Sequence, residues 1–443
     1  MSQPVTNLNA SSRLTRYAFA VICLLVACLY ATWATARTGA SRLLSRYGIA
    51  AGTLLAEDVA LAERLAPVDR AVSFNPADPD AHFARAVVLT DANEVGQSIE
   101  ELKASVALRP RYYFLWLKLG QARAQAGDTE GAIAALQEAV ALAPNYASPH
   151  WQLGNLLLRA GRTDEAFAEL RRAVASDASL YAYTLSLAWA AYDGDTRAVE
   201  AAVQPQTEGA RLELARLFVK RGDADAAMRL FRSTRGKISD ESRRALVSEL
   251  ITAKYFRQAY EVWASGGSES GVARQGTGIA EINDGGFESG IKTNEPGFGW
   301  APSKFVQQGQ GVTIALDARE PRSGKRSLRF DWSGSAPPEV PLLAELVLIE
   351  PVTRYRLYFS ARAQDVVTGG LPIVLVFDAN NGTQLAQSKS LPQDTAPWQD
   401  FTVDFTTSQG TSAVIISFQR QNCTGLCPIF GRTWLDNCSL QKY

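Results

Sequence analysis

Residues 116–136 read WLKLGQARAQAGDTEGAIAAL. The stretch holds Trp116, then Gly120 four residues on, then Gly127-Asp128, then small residues set among leucines. It carries no histidine and no cysteine, and its few charges have the spacing of a solvated face. Such a stretch supplies shape rather than chemistry. It predicts two amphipathic helices joined by a tight turn at Gly127-Asp128.

The same pattern recurs on both sides. Gly52, Ala86, Gly120, Gly154 and Ala188 lie 34 residues apart, as do Ser98, Ala132 and Ala166. Ala71, Ser105, Ala139 and Ala173 form a third ladder, and Pro76, Pro110 and Pro144 a fourth. A fixed period of this length marks stacked supersecondary units. The first small residue lets the two helices of a unit approach closely. The others let the next unit nest, and the proline stops the second helix. One unit cannot bury its apolar faces alone, whereas a stack can.

The pattern resembles the tetratricopeptide repeat family. Residues 113–146 carry the fullest match, through Trp116, Leu119, Gly120, Ala132, Leu136, Ala139 and Pro144. Residues 147–180 follow with Leu153, Gly154, Ala166, Leu170 and Ala173. Residues 79–112 match less well, and 45–78 are degenerate, with Arg64 where a small residue is expected. After 180 the register slips, and a unit with Ala215, Phe218, Ala227 and Phe231 restarts early. A last pair of helices covers roughly 240–264, giving about seven units over 45–264. The resemblance implies an α-solenoid whose first helices line a concave groove for a protein partner. Gln121, Gln125, Trp151, Asn155, Arg159, Trp189, Tyr192 and Arg216 project there. His82 and His150 are twice the period apart, at the place Trp116 fills, and read as packing residues.

At the N-terminus, a tail of residues 1–16 precedes YAFAVICLLVACLYATWATA, residues 17–36, which carry no charge. Twenty such residues are about the length of a membrane-spanning helix. Tyr17, Tyr30 and Trp33 take interfacial places, and arginines bracket the run. Leu25-Val26-Ala27-Cys28 resembles a lipoprotein cleavage box, but apolar residues continue beyond Cys28, which favours an uncleaved anchor. Arg13 and Arg16 favour a cytoplasmic start, while Arg37, Arg42 and Arg46 argue the reverse. The reading places the chain at a cell membrane by a single pass, with its bulk outside the cytoplasm.

Residues 265–280 are Gly- and Ser-rich and read as a linker. Beyond them, over 281–443, the apolar period changes from 3.6 to 2. Leu328, Phe330 and Trp332 alternate with Arg329 and Asp331; Tyr355, Leu357 and Phe359 alternate with Arg356 and Tyr358. Many short strands of this kind predict an antiparallel β-sandwich. The opening Asn283–Glu288 run, Gly299-Trp300, Ser323–Leu328, Trp398 and the closing Trp434–Leu440 run resemble jelly-roll carbohydrate-binding modules and the wider galactose-binding-like sandwiches. That resemblance implies a glycan-binding face, for which Trp300, Arg329, Asp331, Arg356, Tyr358 and Gln419 are the candidates. It also implies a structural calcium at Glu288 and Asp436, two carboxylates of the kind a hard cation prefers. Independently of it, Cys423, Cys427 and Cys438 suggest one disulfide, Cys423 with Cys427 or with Cys438.

Lys+Arg and Asp+Glu both number 45, so the chain lacks the basic excess of a nucleic-acid binder. Two histidines among 443 residues leave little room for histidine-based catalysis or multi-histidine metal sites. There is no phosphate loop, HExxH or GxSxG. The sequence therefore reads as a membrane-anchored, non-catalytic adaptor with no required cofactor, in a setting such as bacterial envelope polysaccharide assembly or export. A carbohydrate-active enzyme with a carboxylate pair in the sandwich, and a purely structural envelope protein, are the alternatives.

Overall fold

The computed structural model describes residues 8–54, 60–236, 238–266, 278–291, 296–423 and 427–443. The chain forms two compact units, 1–204 and 205–443. Most of the Gly/Ser-rich stretch lies outside the described residues.

The first unit is helical. Its first helix, α1 (Leu8–Leu54), runs without a break through the apolar stretch and on into the first hairpin. Within it, Tyr17–Ala50 is long and apolar enough to cross a membrane, with mean hydropathy 2.1 and no burial over its most apolar window. Past residue 36 the helix packs on α2 (Leu61–Phe74). Ser41 donates to the Ala71 carbonyl at 3.1 Å, and Val68 fills the space beside Gly48. The hairpins α3 (Pro79–Asp91) with α4 (Val95–Leu108), α5 (Tyr113–Gln125) with α6 (Thr129–Leu142), and α7 (Ala147–Arg159) with α8 (Thr163–Ser176) follow at the expected period. The last hairpin of this unit pairs α9 (Tyr181–Ala191) with α10 (Thr196–Val203).

Each ladder has a visible cause. A Cβ on Gly120 would stand 2.6 Å from Leu136 Cγ, and one on Gly154 2.8 Å from Leu170 Cγ, so each hairpin closes on its glycine. Ala71, Ser105, Ala139 and Ala173 are wholly inaccessible to solvent. The turns pass through a left-handed residue at one repeat position, Asn93 (φ 61°), Gly127 (φ 83°) and Gly161 (φ 76°), the residue types that tolerate it. The fourth ladder carries a hydrogen bond: the ring N–H of His82, Trp116 and His150 donates to the carbonyl of Pro76, Pro110 and Pro144 at 2.8–2.9 Å. Each ring thus satisfies a carbonyl in the turn just past the preceding helix. The other nitrogen of each histidine meets a carboxylate, Glu101 at 2.6 Å and Glu169 at 2.5 Å. The register slip also has a cause, since α10 is only eight residues long and ends at Gln204 in the left-handed region, just before Pro205.

The second unit joins two hairpins to the β domain. These are α11 (Glu208–Lys220) with α12 (Ala224–Ser233), and α13 (Asp240–Thr252) with α14 (Phe256–Ala264). Among the described residues ten strands form two antiparallel sheets. One contains β1 (Ala301–Pro302), β4 (Leu343–Leu348), β9 (Ala413–Arg420), β6 (Pro372–Asp378) and β7 (Gln384–Gln387), in that order. The other runs β2 (Val312–Asp317), β3 (Ser327–Gly334), β10 (Ile429–Lys442), β5 (Arg354–Thr368) and β8 (Asp394–Thr406). A short helix, α15 (Lys304–Gln307), follows β1. Leu328, Phe330, Tyr355, Leu357, Val414, Ile416 and Phe418 fill the space between the sheets, as the alternation requires. The helical hairpin packs on this domain: Tyr260 and Trp263 of α14 set their rings 5.2 and 5.6 Å from Phe298. Ile251 of α13 occupies the space beside Gly297, whose carbonyl accepts from Leu346 N–H.

Candidate functional site

Two surfaces carry the residues singled out from sequence. On the first-helix face of the helical unit, Gln121, Trp151, Asn155 and Trp189 are half-buried, and Gln125 and Arg159 are exposed. Trp151 stacks edge-on with Tyr183 of the next hairpin at 6.4 Å, and Phe83 with Phe114 at 5.6 Å. Lys118 lies over the Phe114 ring at 5.4 Å. The face therefore carries pairs of aromatic rings edged by amides and cations, on first helices that the small-residue ladders let nest closely. Leu117 and Leu185 point into the core and leave the face to their longer neighbours. Tyr192 departs from the projection: its ring packs on Phe167 of α8 at 5.6 Å, and burial and the nearby Asp164 push its phenol pKa up. Arg216 belongs to the second unit, where it lies 3.9 Å from Glu249 of α13.

The second surface is the outer face of the β2-β3-β10-β5-β8 sheet. Strand alternation puts Arg329, Asp331, Arg356 and Tyr358 there as expected. Gln419 is corrected: it lies on β9, in the opposite sheet, and is nearly buried. Trp300 is corrected too, since it packs on Phe287 at 5.3 Å inside the sandwich core.

The surface is a lattice of ion pairs. Arg329 bridges Asp317 (3.0 Å) and Asp331 (2.9 Å), which also accepts from Arg432. Arg356 makes a two-pronged pair with Asp404, at 2.5 and 2.7 Å, and that bond holds its pKa above the usual guanidinium range. Arg322 and Ser360 share Asp400. Arg362 binds Glu320 and lays its guanidinium 3.9 Å over the Trp434 ring, with Trp398 at 5.6 Å. Asp317 is the buried centre. Burial opposes its ionisation, but the Arg319 amide, the Trp434 indole N–H and the Arg329 and Arg319 guanidinium groups together hold its pKa well below the carboxylate range. Asp317, Arg362 and Trp434 were not among the sequence candidates. Alternation along β10 marks Trp434 as outward, because Leu435 beside it faces the core.

The acids proposed for calcium sit near one another, and both oxygens of Asp436 and one of Glu288 accept from backbone N–H donors. Asp436 accepts from the amides of Arg322, Ser323 and Asn437, and Glu288 from those of Lys325 and Arg326. Burial, and then the charge of Glu288, push the Asp436 pKa up despite those bonds. Amide hydrogens and a cation would compete for the lone pairs of Asp436 and of Glu288 Oε1. Among the described residues no group of three His, Cys, Asp or Glu side chains is arranged to hold a metal. Cys423 is joined to Cys427, and Cys438 is a free thiol whose pKa burial pushes up. Beside the disulfide, the buried Arg420 donates to the carbonyls of Gly370, Ala336 and Cys427 and to the Thr368 hydroxyl.

Residues 120–161 match the family model described as TPR repeat. The helical array of this chain is thus TPR-like, and its β domain is a two-sheet antiparallel sandwich of jelly-roll type. No curated protein sequence matches the chain. Among solved structures, the chain is similar to pilF of Pseudomonas aeruginosa, with 20% identity, 45% of this chain and 95% of that one covered, and a TM-score of 0.34. It is also similar to YrrB, a TPR protein with an unusual peptide-binding site, at 18% identity, 42% and 90% coverage and a TM-score of 0.31. A CBM4 structure is similar at 16% identity, with 37% of this chain and all of that chain covered and a TM-score of 0.29.

Proposed function

We propose that the protein is a membrane-anchored, non-catalytic adaptor of a bacterial cell envelope. Its helical array holds a protein partner along the first-helix face, and its sandwich holds a glycan. The observation that carries this reading is the first-helix face, where Phe83 pairs with Phe114 and Trp151 with Tyr183 beside Gln121, Gln125 and Asn155, a surface suited to an extended peptide or a partner helix. The long apolar helix supports the anchor. The Cys423–Cys427 disulfide supports an oxidising compartment for the β domain, and hence an extracytoplasmic location. On the sandwich, paired arginines and aspartates offer the adjacent donors and acceptors that sugar hydroxyls require. Polysaccharide assembly or export fits a chain that joins a membrane, a protein groove and a glycan surface.

The test compares the full chain with a Trp151→Ala/Trp189→Ala variant in capture from detergent-solubilised membranes, together with glycan-array binding of the full chain and of Arg329→Ala. Loss of captured partners in the first variant and of array signal in the second is expected. Equal capture by both chains sinks the groove reading, and release of reducing sugar from a bound glycan favours an enzyme.

A further inference from the structure

The exposed apolar side chains of the helical unit are not scattered. Outside α1, the large hydrophobic residues exposed among its described residues are Phe74, Leu108, Tyr112, Leu142, Tyr146 and Tyr183, at 38–65% exposure. Phe74, Leu108 and Leu142 are the last residues of α2, α4 and α6, spaced by the 34-residue period. Tyr112 and Tyr146 are the residues that open α5 and α7, and Tyr183 lies in the first turn of α9. All six therefore occupy one edge of the array, where second helices end and first helices begin. Rings there touch along the row, with Tyr113 5.1 Å from Tyr146 and Tyr112 6.0 Å from Phe114. The opposite edge is built from polar turns: Asn93-Glu94, Gly127-Asp128, Gly161-Arg162 and Asp193–Asp195. Partner-free packing gives no reason for this contrast, because both edges are ends of the same hairpins.

The apolar edge is also the edge at which α1 enters. The Arg37 guanidinium donates to the carbonyl of Phe74 and lies 5.0 Å over the Trp33 ring, while residues 17–33 stand exposed. An indole beside an arginine at the end of a charge-free run marks the boundary between hydrocarbon and water. The contacts of Arg37 with Phe74, Ser41 with Ala71 and Gly48 with Val68 run α2 back along α1, so the Phe74 end of the row lies where α1 leaves the hairpins. If α1 crosses a bilayer, that end of the row lies at the level of the membrane surface.

We propose that this edge rests in the interfacial region of the bilayer, with Phe74, Leu108, Tyr112, Leu142 and Tyr146 among the lipid headgroups. Tyrosine suits that region because its ring is apolar and its hydroxyl wet, while phenylalanine and leucine add apolar surface for the underlying hydrocarbon. The inference rests on the anchor reading above. It adds that the array is held flat on the membrane by α1 and the row together, with its polar turns facing away.

The test uses the full chain in lipid nanodiscs of phosphatidylethanolamine and phosphatidylglycerol, with Cys23, Cys28 and Cys438 replaced by serine. A fluorophore is placed at Tyr112→Cys or Tyr146→Cys on the apolar edge, or at Ala126→Cys or Ala160→Cys on the polar edge. A companion chain keeps Cys28 alone. Headgroup-level nitroxide lipids should quench most of the signal at 112 and 146 and almost none at 126 and 160, and deep nitroxide lipids should quench Cys28. Quenching at Cys28 without quenching at 112 and 146 overturns the proposal and leaves the anchor standing. No quenching at Cys28 overturns the anchor and the proposal with it. Labels at 112 and 146 that are shielded from aqueous iodide yet unquenched by lipid show a protein or a second copy on this edge, which also overturns it.

Discussion

Replacing Gly120 and Gly96 by alanine should move stability in opposite directions. Both lie in helices, and helix propensity alone favours alanine over glycine by about 1 kcal/mol. At Gly96 a new Cβ meets nothing within 4 Å, so that gain should appear almost whole, about 0.5–1 kcal/mol. At Gly120 the new Cβ would stand 2.6 Å from Leu136 Cγ, 2.9 Å from Leu136 Cδ2 and 3.2 Å from the Ala132 carbonyl. Leu136 is nearly inaccessible and packed in the core that joins the α5–α6 hairpin to the next, so it cannot swing clear. Overpacking of this kind costs about 1–3 kcal/mol, which offsets the propensity gain and leaves a net loss of up to about 2 kcal/mol. Gly154→Ala should behave like Gly120→Ala, since Leu170 and the Ala166 carbonyl stand in the same relation to it. Urea unfolding of the full chain, followed by far-ultraviolet circular dichroism, reads the helical transition. A Gly120→Ala chain whose midpoint rises as much as that of Gly96→Ala would refute the claim that the glycine sets the distance between the helices.

Other expectations follow from the second unit. Asp317 has a depressed pKa in the folded state, so its contribution is complete above the unfolded carboxylate range, near 4, and is lost as pH falls below it. Asp317→Asn should remove that part of the acid dependence of the melting temperature; a variant with an unchanged acid limb would contradict the assignment. Arg420→Met should destabilise the β domain by more than about 3 kcal/mol in thermal unfolding, because several buried carbonyls lose their donor at once. A loss below about 1 kcal/mol would mean those acceptors find other partners. Adding calcium or a chelator should leave the melting temperature unchanged, and a rise of several degrees with calcium would show that Glu288 and Asp436 rearrange to bind it.

Much of the helical array was legible because its signal is redundant. Four ladders share one period, and each ladder residue does what its chemistry suggests: Gly120 admits Leu136, and His82, Trp116 and His150 do one job. The short α10 accounts for the slipped register, and Pro205 in the sequence marks where it ends. What escaped the sequence are relations between distant segments. Alternation shows which face of a strand is outward but not which sheet the strand joins, so Gln419 was grouped with residues of the other sheet. Trp300 lies in an irregular run with no period to orient it, and only the fold reveals Phe287 against it. Tyr192 follows the last helical residue of α9, where the helical projection no longer holds. The Arg362–Trp434 stack needs residues from β5 and β10 to meet, a pairing that no local pattern announces.

The most direct measurement is site-specific photo-crosslinking in intact cells, with the photoreactive residue at Gln125 or Arg159 on the first-helix face and at Glu138 on the outer helix α6. The same protein adduct from positions 125 and 159, absent from position 138, is the predicted result. An adduct from 138 with none from 125 or 159 would contradict the account.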